Sequence, residues 1–190
     1  MKHLSLLPIG NCGGQLLQEL GAAMGEVFRV PFQVLSQALD PETAFHAERQ
    51  QYHSSEILAA MKVFNTNESW RVLGVTTVDL YIPILTFVFG EAQIGGPCAV
   101  VSSYRLRQEF YGLAADADLL RARLLKEAVH EIGHTLELTH CHDYRCAMAA
   151  SHAVEWIDIK EAWLCPQCQA RALGTTEEAP ADGFRPLART

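Results

Sequence analysis

The stretch from His130 to Cys168 constrains this chain more than any other. It reads HEIGHTLELTHCHDYRCAM, then sixteen residues, then CPQC. Five of the eight histidines and four of the six cysteines fall within it. So dense a set of imidazoles and thiols is the donor chemistry of zinc. The residues upstream are therefore read as its scaffold.

His130 and His134 are four positions apart on a segment with helical character. They project from one face, about one turn apart, which suits two nitrogens about 2.0–2.1 Å from a single zinc. Glu131 is offset round the helix, where its carboxylate can reach a zinc-bound water and take its proton. His140 reaches the same metal only if the helix ends near Leu136 and the chain turns back. The bland alternatives are two surface histidines on an amphipathic helix and a third in a loop.

Cys141, Cys146, Cys165 and Cys168 form two close pairs. Four thiolates in that pattern suit a tetrahedral structural zinc with Zn–S of about 2.3 Å. A redox role for Cys165-Pro-Gln-Cys168 is the weaker reading, because no thioredoxin-like strand precedes it. His142 competes with Cys141 or His140 as a ligand at this stage. Met148 alone reads as core packing.

Composition removes other functions. The net charge of -7 and pI near 5.6 leave no basic face for nucleic acid or for an anionic membrane. Asp79 and Pro83 interrupt the one long apolar run, so no membrane span is expected. The N-terminus lacks the pattern of a signal peptide. A cytoplasmic monomer is expected, with reduced thiols that favour metal over disulfides.

Along the chain, Leu4–Ile9 reads as a buried strand. The Gly10–Gly14 turn leads into a helix over Gln15–Met24, and Phe28–Leu35 reads as a second strand. Gln50–Met61 has helical character and no strand pattern. His46 and His53 lie here without a partner at ligand spacing and read as surface or interface histidines. Arg71–Thr77 is a third strand, and Leu85–Phe89 a fourth and central one. Cys98–Ser102 is a fifth, placed at the sheet edge because Pro97 cannot donate a ladder bond. An extended peptide could pair with that edge. Asp116 and Asp118 are candidate caps for the strongest helix, Leu119–Leu136, with the apolar stripe Leu125, Val129, Ile132 and Leu136.

Taken together, His130-Glu131…His134…His140-Cys141, Cys146-Ala147-Met148 and Cys165…Cys168 resemble the archaemetzincins. That branch of the metzincin clan is defined by HExxHxxGxxHC, four residues, CxM, a spacer near seventeen, and CxxC. The segments Val72–Gly90 and Cys98–Arg107 also look like the family's scaffold. The resemblance implies an α+β, zincin-like fold: a twisted mixed β-sheet with helices and a small C-terminal zinc-binding lobe. A single domain over residues 1–173 is expected, with an upper lobe (1–135, active-site helix 117–136), a lower lobe (137–173), and a flexible tail (174–190).

The resemblance further implies a zinc peptidase acting on peptides or proteins, with some members aminopeptidase-like. His130, His134 and His140 would hold catalytic zinc and Glu131 would be the general base. Met148 would form a Met-turn beneath the histidines, and the four cysteines would hold a second zinc. One position departs from the pattern, with Glu137 where the family has Gly. Either Glu137 takes a left-handed conformation, at a cost of about 1–2 kcal/mol, or the turn shifts to Leu138-Thr139. The alternative function is a non-catalytic two-zinc protein that binds peptides or partners.

Overall fold

The structure, a computed structural model, describes residues 2–173, so the expected tail at 174–190 lies outside the described residues. In chain order the elements are β1 (His3–Ile9), α1 (Gly14–Phe28), β2 (Phe32–Val34), β3 (Phe45–His46), β4 (Gln51–His53), α2 (Ser54–Met61), β5 (Ser69–Thr76), β6 (Leu80–Tyr81), β7 (Gly90–Ala92), β8 (Cys98–Ser102), α3 (Ala117–Thr135), α4 (Val154–Ile159) and α5 (Pro166–Ala172).

The main sheet has the order β2-β1-β5-β8-β7. Its first three pairings are parallel, and β7 closes it antiparallel to β8. A second, three-stranded sheet has the order β3-β4-β6.

Alternation along the strands decides what lies on each face of the main sheet. Leu4, Leu6, Leu73, Val75, Ala99 and Val101 point into one core, shared with Leu17, Leu20 and Met24 of α1 and Leu124, Ala128, Val129 and Ile132 of α3. Leu7, Ile9, Val72, Cys98 and Val100 point the other way, onto Ile57, Leu58 and Met61 of α2. Strands buried on both faces read as continuous apolar runs, which is what β1, β5 and β8 are. The first core continues through Leu138, Ala147, Met148, Ile157 and Leu164, so the thiol-bearing segment packs directly under α3. No described helix is long and apolar enough to cross a membrane.

Several expectations are corrected. Cys98–Ser102 is not the sheet edge: β8 is buried throughout, between β5 and β7. Pro97 is tolerated because it precedes the strand, and its carbonyl accepts from Val72 N at 2.9 Å. The edge is β7. Leu85–Phe89 is no strand, and Leu85 is exposed. Pro83 breaks the pairing, and the segment makes only isolated backbone bonds to neighbouring strands, Val88 N to Leu80 O at 2.9 Å and Ser102 N to Phe89 O at 2.8 Å. Phe28 ends α1 rather than starting a strand, because Arg29 turns the chain in a left-handed conformation (φ 53°). The segment 50–61 contains β4 before its helix. Asp116, not Asp118, caps α3, its carboxylate accepting from Leu119 N at 2.9 Å.

Candidate active site

The site is built on the last two turns of α3 and on the way that helix ends. Glu137 adopts φ 65°, so the left-handed turn stays at this position and does not shift to Leu138-Thr139. Leu138 N then reaches back to Gly133 O at 3.1 Å, and Glu137 N to His134 O at 3.0 Å. This is the bonding of a Schellman-type helix end, normally given to Gly because a Cβ is disfavoured there. Leu138 is buried in the core, which holds the turn in place. The reversal carries His140 back beside the helix.

The three imidazoles converge. Their ligand-capable nitrogens lie within 4.8 Å of one another. His130 Nε2 and His134 Nε2 are 3.1 Å apart. His130 Nδ1 meets Ala147 O and His134 Nδ1 meets Leu138 O, each at 2.8 Å. A ring that gives its Nδ1 proton to a carbonyl carries a lone pair on Nε2. Burial lowers the pKa of all three histidines, that of His130 most strongly, with Lys160 adding to the effect on each. Neutral rings that aim lone pairs at one point repel unless a cation lies between them. Two nitrogens on a tetrahedral zinc stand about 3.3 Å apart, so this donor set fits that ion.

Glu131 is buried beside His130. Burial pushes its carboxyl well above the usual carboxylate range, with Glu127 raising it further and Lys160 opposing. Gly90 on β7 lies over it. A Cβ at Gly90 would fall 2.7 Å from Glu131 Cγ and 2.6 Å from Val100 O, so only glycine lets the edge strand pass there. Met148 is wholly buried beneath the helix, and its sulfur occupies the space a side chain at Gly133 would need.

Two contributors have no sequence motif. Lys160, at the end of α4, is buried and pairs with Glu127 Oε1 at 2.8 Å. Its ammonium also donates to Ala147 O and Ala149 O at 3.1 and 3.2 Å. Glu127 stands one turn before Glu131, and that spacing is the only signal that placed it near the site. Nothing in the sequence marks Lys160, twenty residues beyond His140.

Behind this site the four thiols gather, all within 4.8 Å of one another. Cys141 and Cys165 sulfurs are 3.8 Å apart, about the separation expected on a tetrahedral zinc–thiolate centre. Burial pushes the Cys146 thiol up to about 11 and raises Cys168 as well. Cys165 is lowered: burial opposes this, but hydrogen bonds involving the other three cysteines outweigh it. His142 belongs to neither group, so its competition with Cys141 or His140 is not seen. Cys141 N bonds to Met148 O at 2.9 Å, which ties the thiol cluster to the buried methionine.

A cleft of about 540 Å³ opens over the histidines. Phe87, Val88, Phe89, Gly90 and Glu91 form one wall, with His130, Glu131, His134 and His140 at its floor. Glu91 is held there by the hydroxyls of Ser54 and Ser55 at the start of α2.

The chain is similar to known proteins over most of its length. Residues 23–173 match Peptidase family M54. The archaemetzincin of Methanocaldococcus jannaschii is 40% identical over 166 residues, covering 87% of this chain and 90% of the relative. The crystal structure of the Archaeoglobus fulgidus archaemetzincin, complexed with malonate, superposes with a TM-score of 0.76 at 35% identity, covering 90% of this chain and 99% of that one. A zinc-dependent peptidase from Methanocorpusculum labreanum reaches a TM-score of 0.81 at 28% identity, covering 89% of this chain and 99% of that one.

Proposed function

The chain belongs to peptidase family M54, the archaemetzincins, and is a zinc metallopeptidase with their α+β fold; from that premise we propose that His130, His134 and His140 hold its catalytic zinc, that Glu131 is the general base, and that Cys141, Cys146, Cys165 and Cys168 hold a second, structural zinc. The observation that carries this reading is the pair of Nε2 atoms 3.1 Å apart, each ring clamped through Nδ1, with Glu131 alongside.

Zinc, when bound there, supplies a Lewis acid that polarises a carbonyl and makes water more acidic. The protein does the rest. The carbonyls of Ala147 and Leu138 fix the tautomer of two ligands. Glu131 takes the proton from the attacking water and returns it to the leaving amine. Among the described residues no strand pairs with the outer edge of β7, and an extended peptide can pair with it along the cleft. Phe87 and Phe89, 5.2 Å apart, give that wall an apolar surface for side chains.

Met148 serves as the Met-turn, a packed floor beneath the histidines. Residues up to 135 supply the sheet and helix, and residues 137–173 the lower, zinc-bearing lobe of the same domain. We read the chain as a cytoplasmic monomer with no nucleic-acid partner, on the strength of its acidic charge and its clustered free thiols.

Glu131→Gln tests the assignment. The variant should keep the zinc content of the parent and lose cleavage of a peptide mixture by at least about 100-fold. Cleavage at the parent rate with full zinc would remove Glu131 from the mechanism.

A further inference from the structure

His46 and His53 read in the sequence as surface or interface histidines without a partner at ligand spacing, yet the fold brings them together with Glu56. The pairing of β3 with β4 carries His46 back alongside that strand, at whose end His53 lies, and Glu56 follows in the first turn of α2. Both histidines face one carboxylate oxygen. Glu56 Oε1 is 3.0 Å from His53 Nδ1 and 3.6 Å from His46 Nε2. All three donor atoms lie within 4.8 Å of one another.

We propose that His46 Nε2, His53 Nδ1 and the Glu56 carboxylate form a third cation site, open to solvent and distinct from the two clusters at α3. Donors on a tetrahedral zinc stand about 3.3 Å apart at bonds of about 2.0–2.1 Å, so the cluster needs only small adjustments to close on an ion. Two imidazoles and one carboxylate select zinc, cobalt, nickel or copper(II) over magnesium or calcium.

The surroundings are those of a ligand set. Tyr81 Oη is 2.5 Å from His46 Nδ1. When that nitrogen gives its proton to the phenol oxygen, Nε2 presents its lone pair to the site, as outer partners do for metal-bound histidines. The His53 ring stacks on Tyr81, with centroids 5.2 Å apart, and its buried Nε2 has no hydrogen-bond partner among the described residues. Nδ1 is therefore the engaged nitrogen. The nearby cation, Arg49 over the Tyr81 ring, is occupied by the carbonyls of Leu85 and Thr86. His46 and Glu56 are exposed, which leaves room for water or an outside ligand to complete the coordination. An ion here would brace the start of α2, whose Ser54 and Ser55 hold Glu91 at the cleft wall.

The test uses the full chain with its tightly held zinc, dialysed to equilibrium against free Zn²⁺, and counts metal per chain. The parent should take up one more zinc than His46→Ala treated in parallel. Glu56→Gln, which keeps the shape of the side chain, should bind that zinc at least 10-fold more weakly, and Tyr81→Phe should weaken it roughly 10-fold. Mg²⁺ in place of Zn²⁺ should add nothing. His134→Ala, which removes a proposed catalytic ligand, should still gain the exchangeable zinc, so the two readings fail separately. Equal uptake by the parent, His46→Ala and Glu56→Gln would reduce the triad to an ion pair and overturn the proposal.

Discussion

Gly90 passes so close over Glu131 that a single methyl group at Gly90 would lie 2.7 Å from Glu131 Cγ and 2.8 Å from Oε1. The edge strand and the proposed base thus share one van der Waals surface. The neighbour on the other side is the backbone oxygen of Val100, which cannot swing away. Gly90→Ala should therefore displace Glu131 rather than the sheet. Zinc content should stay at the parent value while kcat falls by at least about 10-fold. Unchanged kcat would mean that Glu131 has room that the structure does not give it.

Lys160 and Glu127 form an ion pair sealed from solvent, 2.8 Å apart, and the ammonium donates to two carbonyls, those of Ala147 and Ala149. One of those acceptors, Ala147 O, also receives His130 Nδ1, so the pair braces the first histidine through the Met148 turn. Lys160→Met strands a buried carboxylate and should destabilise the fold by about 3–5 kcal/mol in denaturant titrations. Adding Glu127→Leu should recover most of that loss, because the cost is the unpaired charge. A double variant no more stable than Lys160→Met would contradict this.

Glu137 bears left-handed strain at the helix end, with φ 65°. Its carboxylate rests 3.0 Å from where a Cβ on Gly95 would stand, and Gly95 N bonds to His134 O. Glu137→Gly should stabilise the protein by up to about 1 kcal/mol, as relief of strain outweighs the added freedom of the unfolded chain. Zinc binding should persist. A loss of stability would mean that the Glu137 side chain contributes more at Gly95 than its backbone costs.

Much of the site could be read in the sequence because zinc chemistry writes itself in spacing. A helical i, i+4 histidine pair and two thiol pairs specify geometry locally, and His140 needed only a helix end that Glu137 provides. The apolar stripe of α3 followed from its three- and four-residue spacing, and β1 from its short apolar run. The misplaced elements share a cause. Pro97 looked like an edge marker, but a proline just before a strand removes no ladder bond, and the five buried residues of β8 were the better sign of an interior strand. Leu85–Phe89 is apolar because it lines a cleft, not because it sits within a sheet. Lys160 and the His46–His53–Glu56 cluster depend on tertiary packing between segments, which no periodic pattern encodes.

The most direct measurement is the ratio of zinc to chain in the purified, extensively desalted protein and in His134→Ala. Two tightly held zinc ions are expected in the parent and one in the variant, with the exchangeable third site emptied by desalting. A parent that retains a single zinc, or a His134→Ala variant that retains both, would contradict the two-centre account.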